Sequence, residues 1–107
     1  MTVAHGAPTY GLSEETLLKI RQTLAQYPQV EQALLYGSRA KGNYKPGSDI
    51  DLTLKGAKLD MGLLGNIEQS LDDLLLPYEI DLSLYAQLNH AELVEHIDRV
   101  GQVIYRR

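Results

Sequence analysis

The chain has 107 residues, enough for one domain and too few for two of ordinary size. Hydrophobic residues make up 44% of it, and no apolar run approaches the roughly 20 residues that a membrane-spanning helix needs, so we expect no membrane protein. The formal net charge is −4, from 10 basic and 14 acidic side chains, which argues against a basic face that binds long nucleic acid.

The beginning of the chain differs in character from the rest. It contains Gly6, Pro8 and Gly11 without apolar periodicity, so we predict a flexible arm over residues 1–12 and one folded domain over residues 13–107. It also lacks the cationic flank and apolar segment of a secretory signal. The absence of cysteine excludes disulfides and thiolate metal sites. These features together predict a soluble cytoplasmic protein.

The first half of the domain predicts one helix and two strands. Ser13 is a typical helix N-cap, and apolar residues follow at helical spacing until Pro28. The second half of residues 30–36 is apolar and predicts a strand that ends at Gly37. The composition of residues 37–48 predicts a loop, which can include one helical turn over residues 38–41. Residues 49–54 alternate between polar and apolar side chains, the period of a half-exposed strand.

The second half of the domain predicts two helices around a third strand. Residues 61–76 carry a helical stripe of leucine and isoleucine that Pro77 closes, and residues 78–85 alternate like a strand. Asn89 and Glu92 resemble a capping box that opens a last helix. The resulting order predicts a mixed α/β (α+β) domain, a small sheet backed by helices. Strand directions do not follow from the pattern.

Three carboxylates are predicted to share one face of this sheet. Asp49 and Asp51 stand two residues apart on a strand and therefore project from the same side. Asp81 joins them if its strand is a neighbour. Ionised carboxylates held close repel each other unless a cation lies between them, and magnesium binds carboxylates together with substrate phosphates. The pattern predicts a two-metal site of the kind that promotes in-line displacement.

The segment before these aspartates suits a phosphate. Glycine at position 37 lets backbone approach a phosphate closely, and the hydroxyl and N–H of Ser38 are donors for its oxygens. Arg39 and Lys41 add positive charge for a triphosphate. A lone glycine-serine is usually a turn, and a lone Asp-x-Asp is usually solvated acid; their conjunction at this spacing carries the prediction. By contrast, His90 and His96 lie six residues apart, which disfavours a zinc pair on one helix face.

These residues resemble the signature of the DNA polymerase β-like nucleotidyltransferase superfamily, which is glycine-serine, about ten residues, then aspartate-x-aspartate. More narrowly, the chain is similar to the single-domain minimal nucleotidyltransferases, although Lys41 stands where many relatives have arginine. The resemblance implies a polymerase β-like core. It implies that Asp49 and Asp51 bind two Mg²⁺ ions, that Asp81 binds the catalytic one and helps activate the acceptor hydroxyl, and that Gly37 and Ser38 hold the triphosphate of ATP.

The resemblance also implies a partner. Minimal nucleotidyltransferases are commonly paired with a helical HEPN-domain protein, a toxin on which they adenylylate a tyrosine as the antitoxin, so a hetero-oligomer is expected. Two alternatives stay open. One is nucleotidyl transfer to a small molecule or an RNA end. The other is a non-catalytic module that masks the HEPN protein by contact.

Overall fold

The computed structural model describes residues 9–107 and contains a four-stranded sheet with helices on both faces. The helices are α1 (Glu14–Ala25), α2 (Gly37–Lys41), α3 (Met61–Asp72) and α4 (Ala91–Val100), and a 3₁₀ turn covers Tyr85–Gln87. The strands are β1 (Gln32–Tyr36), β2 (Ile50–Lys55), β3 (Ile80–Leu84) and β4 (Gln102–Arg106). The predicted α/β class with a small mixed sheet is confirmed.

The sheet has the strand order β3-β2-β1-β4. Strand β1 runs antiparallel to both β2 and β4, whereas β2 and β3 run parallel. A parallel pair needs a crossover connection, and α3 supplies it between β2 and β3. The strands that carry the predicted acidic residues are therefore neighbours.

The two faces of the sheet differ in what they bury. Alternate apolar residues of β1, β2 and β3 form the main core with α1 and α3, as expected when successive side chains point to opposite faces. Among them, Leu35 and Leu52 are fully buried. The opposite face carries Thr53 and the acidic residues, and α4 covers part of it by packing against β1 and α2. One face of the sheet therefore packs against the core, and the opposite face carries the polar and acidic side chains.

Local signals explain the helix starts. The Ser13 hydroxyl accepts from the Thr16 N–H at 3.0 Å, as its N-cap pattern predicted. Asp60 caps α3 in the same way, at 2.8 Å from the Leu63 N–H. The capping prediction for α4 was wrong by one residue, because His90 rather than Asn89 is the N-cap and its Nδ1 accepts from the Leu93 N–H.

Two further predictions need correction. Helix α3 ends at Asp72 instead of continuing to residue 76, since the chain turns there and Leu75 takes a positive φ of 55°. Strand β4 was not predicted at all. It follows α4 after Gly101 and pairs with β1, with a register shift between Ala33 and Leu34.

Residues 1–8 of the predicted arm lie outside the described residues. The rest of that segment contacts the domain: Leu12 is only 3% exposed and Tyr10 packs against the core. Within residues 9–107, no helix has the length and apolar character needed to traverse a bilayer.

Candidate active site

The three predicted aspartates lie at one end of the β2–β3 pair. Asp51 on β2 is paired with Asp81 on β3, so their side chains lie side by side on the same face. Adjacent strands are about 4.8 Å apart, which brings the two carboxylates within reach of one cation. Asp49 immediately precedes β2, and both it and Asp81 are exposed. The structure therefore pairs two of the predicted carboxylates, those of Asp51 and Asp81, and places Asp49 at the same end of β2.

The electrostatics of Asp51 reflect this grouping. Its pKa is raised above the ordinary value, first by burial and then by the negative charges of Asp81 and Asp49. Each of these influences disfavours the ionised form. A cation among the three groups would reverse the effect of the charges, because it stabilises the carboxylates that otherwise repel one another.

Gly37 brings the predicted phosphate-binding turn against the aspartates. It is the first residue of α2, has a φ of +76°, and its Cα faces the Asp51 carboxylate so closely that an added Cβ would lie under 3.0 Å from Oδ2. Both the backbone conformation and the lack of space require glycine here. The Gly37–Ser38 turn and the acidic pair consequently form one continuous surface.

The remaining residues of the turn occupy different environments. Ser38 is half-buried, and its carbonyl accepts from the N–H groups of Gly42 and Asn43, which close α2. Lys41 is exposed at the end of this helix, where its ammonium is free to reach an anion. The helical turn predicted over residues 38–41 is confirmed as α2.

Arg39 does not share this exposure. Its side chain is 2% exposed, and its guanidinium donates to the Ser48 carbonyl at 2.8 and 3.1 Å and to the Tyr10 carbonyl at 2.9 Å. Its donors are thus directed at backbone groups within the protein. This placement argues against the phosphate contact predicted for Arg39.

Two residues near the site were missed by the sequence reasoning. His96 on α4 accepts from the Gly37 N–H through Nε2 at 3.2 Å, and its ring stands edge-on to Tyr36 at 6.2 Å. Burial raises the pKa of Tyr36, the charges of Asp81 and Asp51 raise it further, and a hydrogen bond with Ser83 lowers it. The phenol therefore lies close to the acidic pair. Its position directly before Gly37 was a usable signal, whereas nothing in the sequence links His96 to a residue 59 positions away.

The donor set fits magnesium better than a softer metal. Carboxylate oxygens are the ligands that Mg²⁺ prefers, and it usually keeps waters and substrate phosphates beside one or two carboxylates. Among residues 9–107, no group of three or more acidic, histidine or cysteine side chains lies close enough together to hold a metal ion by itself. Carboxylates repel one another in the absence of a cation. These residues therefore suit a site in which the oxygens of a bound phosphate supply the remaining metal ligands. The aspartates therefore fit metal ions that arrive with a phosphorylated substrate.

Comparison with known proteins places this arrangement in a family. A family model described as "Polymerase beta, Nucleotidyltransferase" matches residues 18–107, which is most of the chain and includes every predicted site residue. No curated protein matches the chain.

Several solved structures share the fold. A chain of a toxin–antitoxin crystallised with AMP-PNP superimposes with a TM-score of 0.67 and 23% identity, over 90% of this chain and 75% of that one. A chain from a complex of the tri-AMPylated HEPN toxin of Shewanella oneidensis with the MNT antitoxin has a TM-score of 0.67 and 20% identity. The match covers 90% of this chain and 74% of that one. A chain of the toxin–antitoxin MntA–HepT has a TM-score of 0.66 and 21% identity, and the match covers 89% of this chain and 74% of that one. At these identities the likeness establishes the fold.

Proposed function

The chain belongs to the polymerase β family of nucleotidyltransferases, and from that premise we propose that it transfers AMP from ATP, with two Mg²⁺ ions, to a tyrosine of a HEPN-domain partner protein, as the antitoxin of a toxin–antitoxin pair. The observation that carries the proposal is the pairing of Asp51 with Asp81 directly beside Gly37. It supports a site where a triphosphate and divalent cations meet on one surface.

Each residue has a distinct part in the proposed transfer. Asp49 and Asp51 would hold the two metal ions, and Asp81 would be a further ligand for the catalytic one. When bound, these ions neutralise phosphate charge and polarise the reacting oxygens. Gly37 admits the triphosphate close to the backbone, and the Ser38 hydroxyl and N–H donate to its oxygens, with Lys41 as a further positive charge.

The chemical step is a displacement at the α-phosphorus. The acceptor hydroxyl loses its proton to Asp81, and its oxygen forms a bond to the α-phosphorus. The bond from that phosphorus to the bridging oxygen of the β-phosphate breaks at the same centre, and pyrophosphate leaves. Burial of Asp51 beside Asp81 supports this role, because the carboxylates are held in place before the substrates arrive.

A protein acceptor is supported by the surroundings of the site. An open cleft of about 570 Å³ borders Asp49, and one wall of it is formed by Leu75, Pro77 and Tyr78. Leu75 is 88% exposed in it. The rest of the lining is mostly polar, so the cleft offers an apolar contact at Leu75, near Asp49, to a segment of another protein. A solved complex of the same fold, which contains the tri-AMPylated HEPN toxin of Shewanella oneidensis, supports the choice of partner.

The test uses ATP labelled at either the α- or the γ-phosphate. The pure chain is incubated with Mg²⁺ and a candidate HEPN-domain partner protein, and the partner is then separated and its labelled residue is mapped. We expect the α-label, and not the γ-label, on a partner tyrosine, and no label with Asp49→Ala/Asp51→Ala protein. Label on a small molecule or RNA without any partner would contradict the proposed acceptor. Undiminished neutralisation of the partner by the double variant would contradict catalysis as its basis.

A further inference from the structure

Arg39 is the only charged side chain that is buried among residues 9–107. Within the same part of the chain, no carboxylate lies within salt-bridge distance of it. An unpaired buried cation is strongly destabilising unless its donors are satisfied. The contacts that satisfy this guanidinium therefore indicate what the fold gains from placing it there.

The guanidinium joins four segments of the chain. From α2 it donates two hydrogen bonds to the Ser48 carbonyl and one to the Tyr10 carbonyl. Its carbon lies over the ring of Tyr44 at 5.2 Å from the centroid and over that of Tyr78 at 4.8 Å. Cations at such distances are attracted to the faces of aromatic rings. One side chain thus connects α2, the N-terminal segment, the loop before β2 and the approach to β3.

The contact with Ser48 matters most for the site. Ser48 immediately precedes Asp49, and the paired donors fix its carbonyl relative to α2, which begins at Gly37. Asp49 itself is exposed and precedes β2, so the sheet ladder alone does not hold it. A planar fork with two parallel donors can fix one acceptor in this way, whereas a lysine ammonium cannot.

We infer that Arg39 is a positioning residue, which holds Asp49 at the correct distance from the Gly37–Ser38 turn and so sets the geometry of the metal–triphosphate site. The inference rests on the proposed function for its catalytic consequence, but the positional claim stands on these contacts alone.

The same contacts link residues 9–12 to the site. Gly11 has a φ of +78°, and a Cβ there would collide with the Tyr44 ring, because the two residues are in direct contact. Displacing Tyr44 would remove one of the rings that cover the guanidinium. A change in the N-terminal segment, at a residue with no predicted role in binding or chemistry, is thereby expected to alter transfer.

The experiment compares Arg39→Lys with Arg21→Lys. Arg21 donates from Nε to the Ile104 carbonyl at 2.7 Å on β4, so its replacement loses an arginine–carbonyl bond away from the site. Amide hydrogen exchange measures the Ser48 N–H, which donates to the Lys45 carbonyl at 3.0 Å in the native loop. Steady-state assays measure kcat, the KM for ATP and the Mg²⁺ concentration at half-maximal rate.

We expect Arg39→Lys to accelerate exchange at Ser48, to raise the Mg²⁺ requirement, and to lower kcat by about 10²-fold, the effect of misplacing a reacting group by about 1 Å. Arg21→Lys should change none of these. Gly11→Ala should produce the same changes to a smaller extent, and it decides the matter if Arg39→Lys does not fold.

Three results would overturn the inference. One is a raised KM for ATP with unchanged kcat and unchanged exchange, which would make Arg39 a phosphate ligand. Another is an equal loss in Arg21→Lys, which would make the effect one of general stability. The third is wild-type behaviour of Gly11→Ala. A wild-type chain that transfers no AMP would refute the proposed function, while the exchange data would still judge the positional claim.

Discussion

Replacing Gly37 by alanine tests the contact that joins the phosphate-binding turn to the aspartates. At a φ of +76° an alanine is strained by about 1–2 kcal/mol, and its Cβ would also meet the Asp51 carboxylate. For a domain of this size each 1 kcal/mol lowers the Tm by about 4–8 °C, so we expect a fall of roughly 4–16 °C from strain alone. The added methyl must also displace Asp51, which we expect to lower kcat by about 10²-fold.

Gly42 provides the matched control for this variant. It has a φ of +88°, and a Cβ there would meet nothing within 4 Å. Gly42→Ala should therefore show a similar fall in Tm by differential scanning calorimetry but retain kcat in the labelled-ATP assay at a temperature well below both transitions. Equal kcat for the two alanine variants would refute the reasoning, because the displacement of Asp51 would then have no consequence for transfer.

Three other substitutions examine individual groups. The raised pKa of Asp51 means that this carboxyl stabilises the metal-free fold most below its unfolded pKa and that the stabilisation is lost as pH rises through the folded pKa. Asp51→Asn should therefore not lower the metal-free Tm at neutral pH, yet it should abolish the Tm increase that Mg²⁺ and an ATP analogue give to wild type; a loss of metal-free stability would contradict this. Asp81→Asn should reduce kcat by at least about 10²-fold, whereas Glu79→Gln, an exposed neighbour, should not, and the reverse order would reassign the third carboxylate. His96→Phe keeps a ring at its position but removes the acceptor of the Gly37 N–H, so urea unfolding should show a loss of about 0.5–1.5 kcal/mol; unchanged stability would show that the bond contributes nothing.

The sequence predicted the elements whose pattern is local. Alternation along β2 and β3 identified both strands and the face that carries Asp51 and Asp81, because side-chain direction in a strand depends only on position. Ser13 marked the start of α1 for the same reason, since an N-cap bonds to an N–H three residues away. The family resemblance then named the polymerase β-like fold, which the family model confirms.

What the sequence could not predict depends on long-range packing. Strand β4 has only five residues, and it pairs with a strand about 70 positions earlier in the chain. No local alternation of polar and apolar residues therefore indicated it. The burial of Arg39 depends on Tyr10, Ser48 and Tyr78 meeting in three dimensions. A basic residue after glycine-serine suggested phosphate binding, whereas its surroundings suggest a structural link. Composition and spacing cannot separate those two roles.

The most direct test of the proposed chemistry locates the metal ions. Crystals of the chain grown with Mn²⁺ and a non-hydrolysable ATP analogue would reveal the ions by anomalous scattering. We predict two peaks between the analogue's phosphates and the carboxylates of Asp49 and Asp51, one of them also within reach of Asp81, with the triphosphate against Gly37 and Ser38. Manganese bound elsewhere, or an analogue seated away from these aspartates, would contradict it.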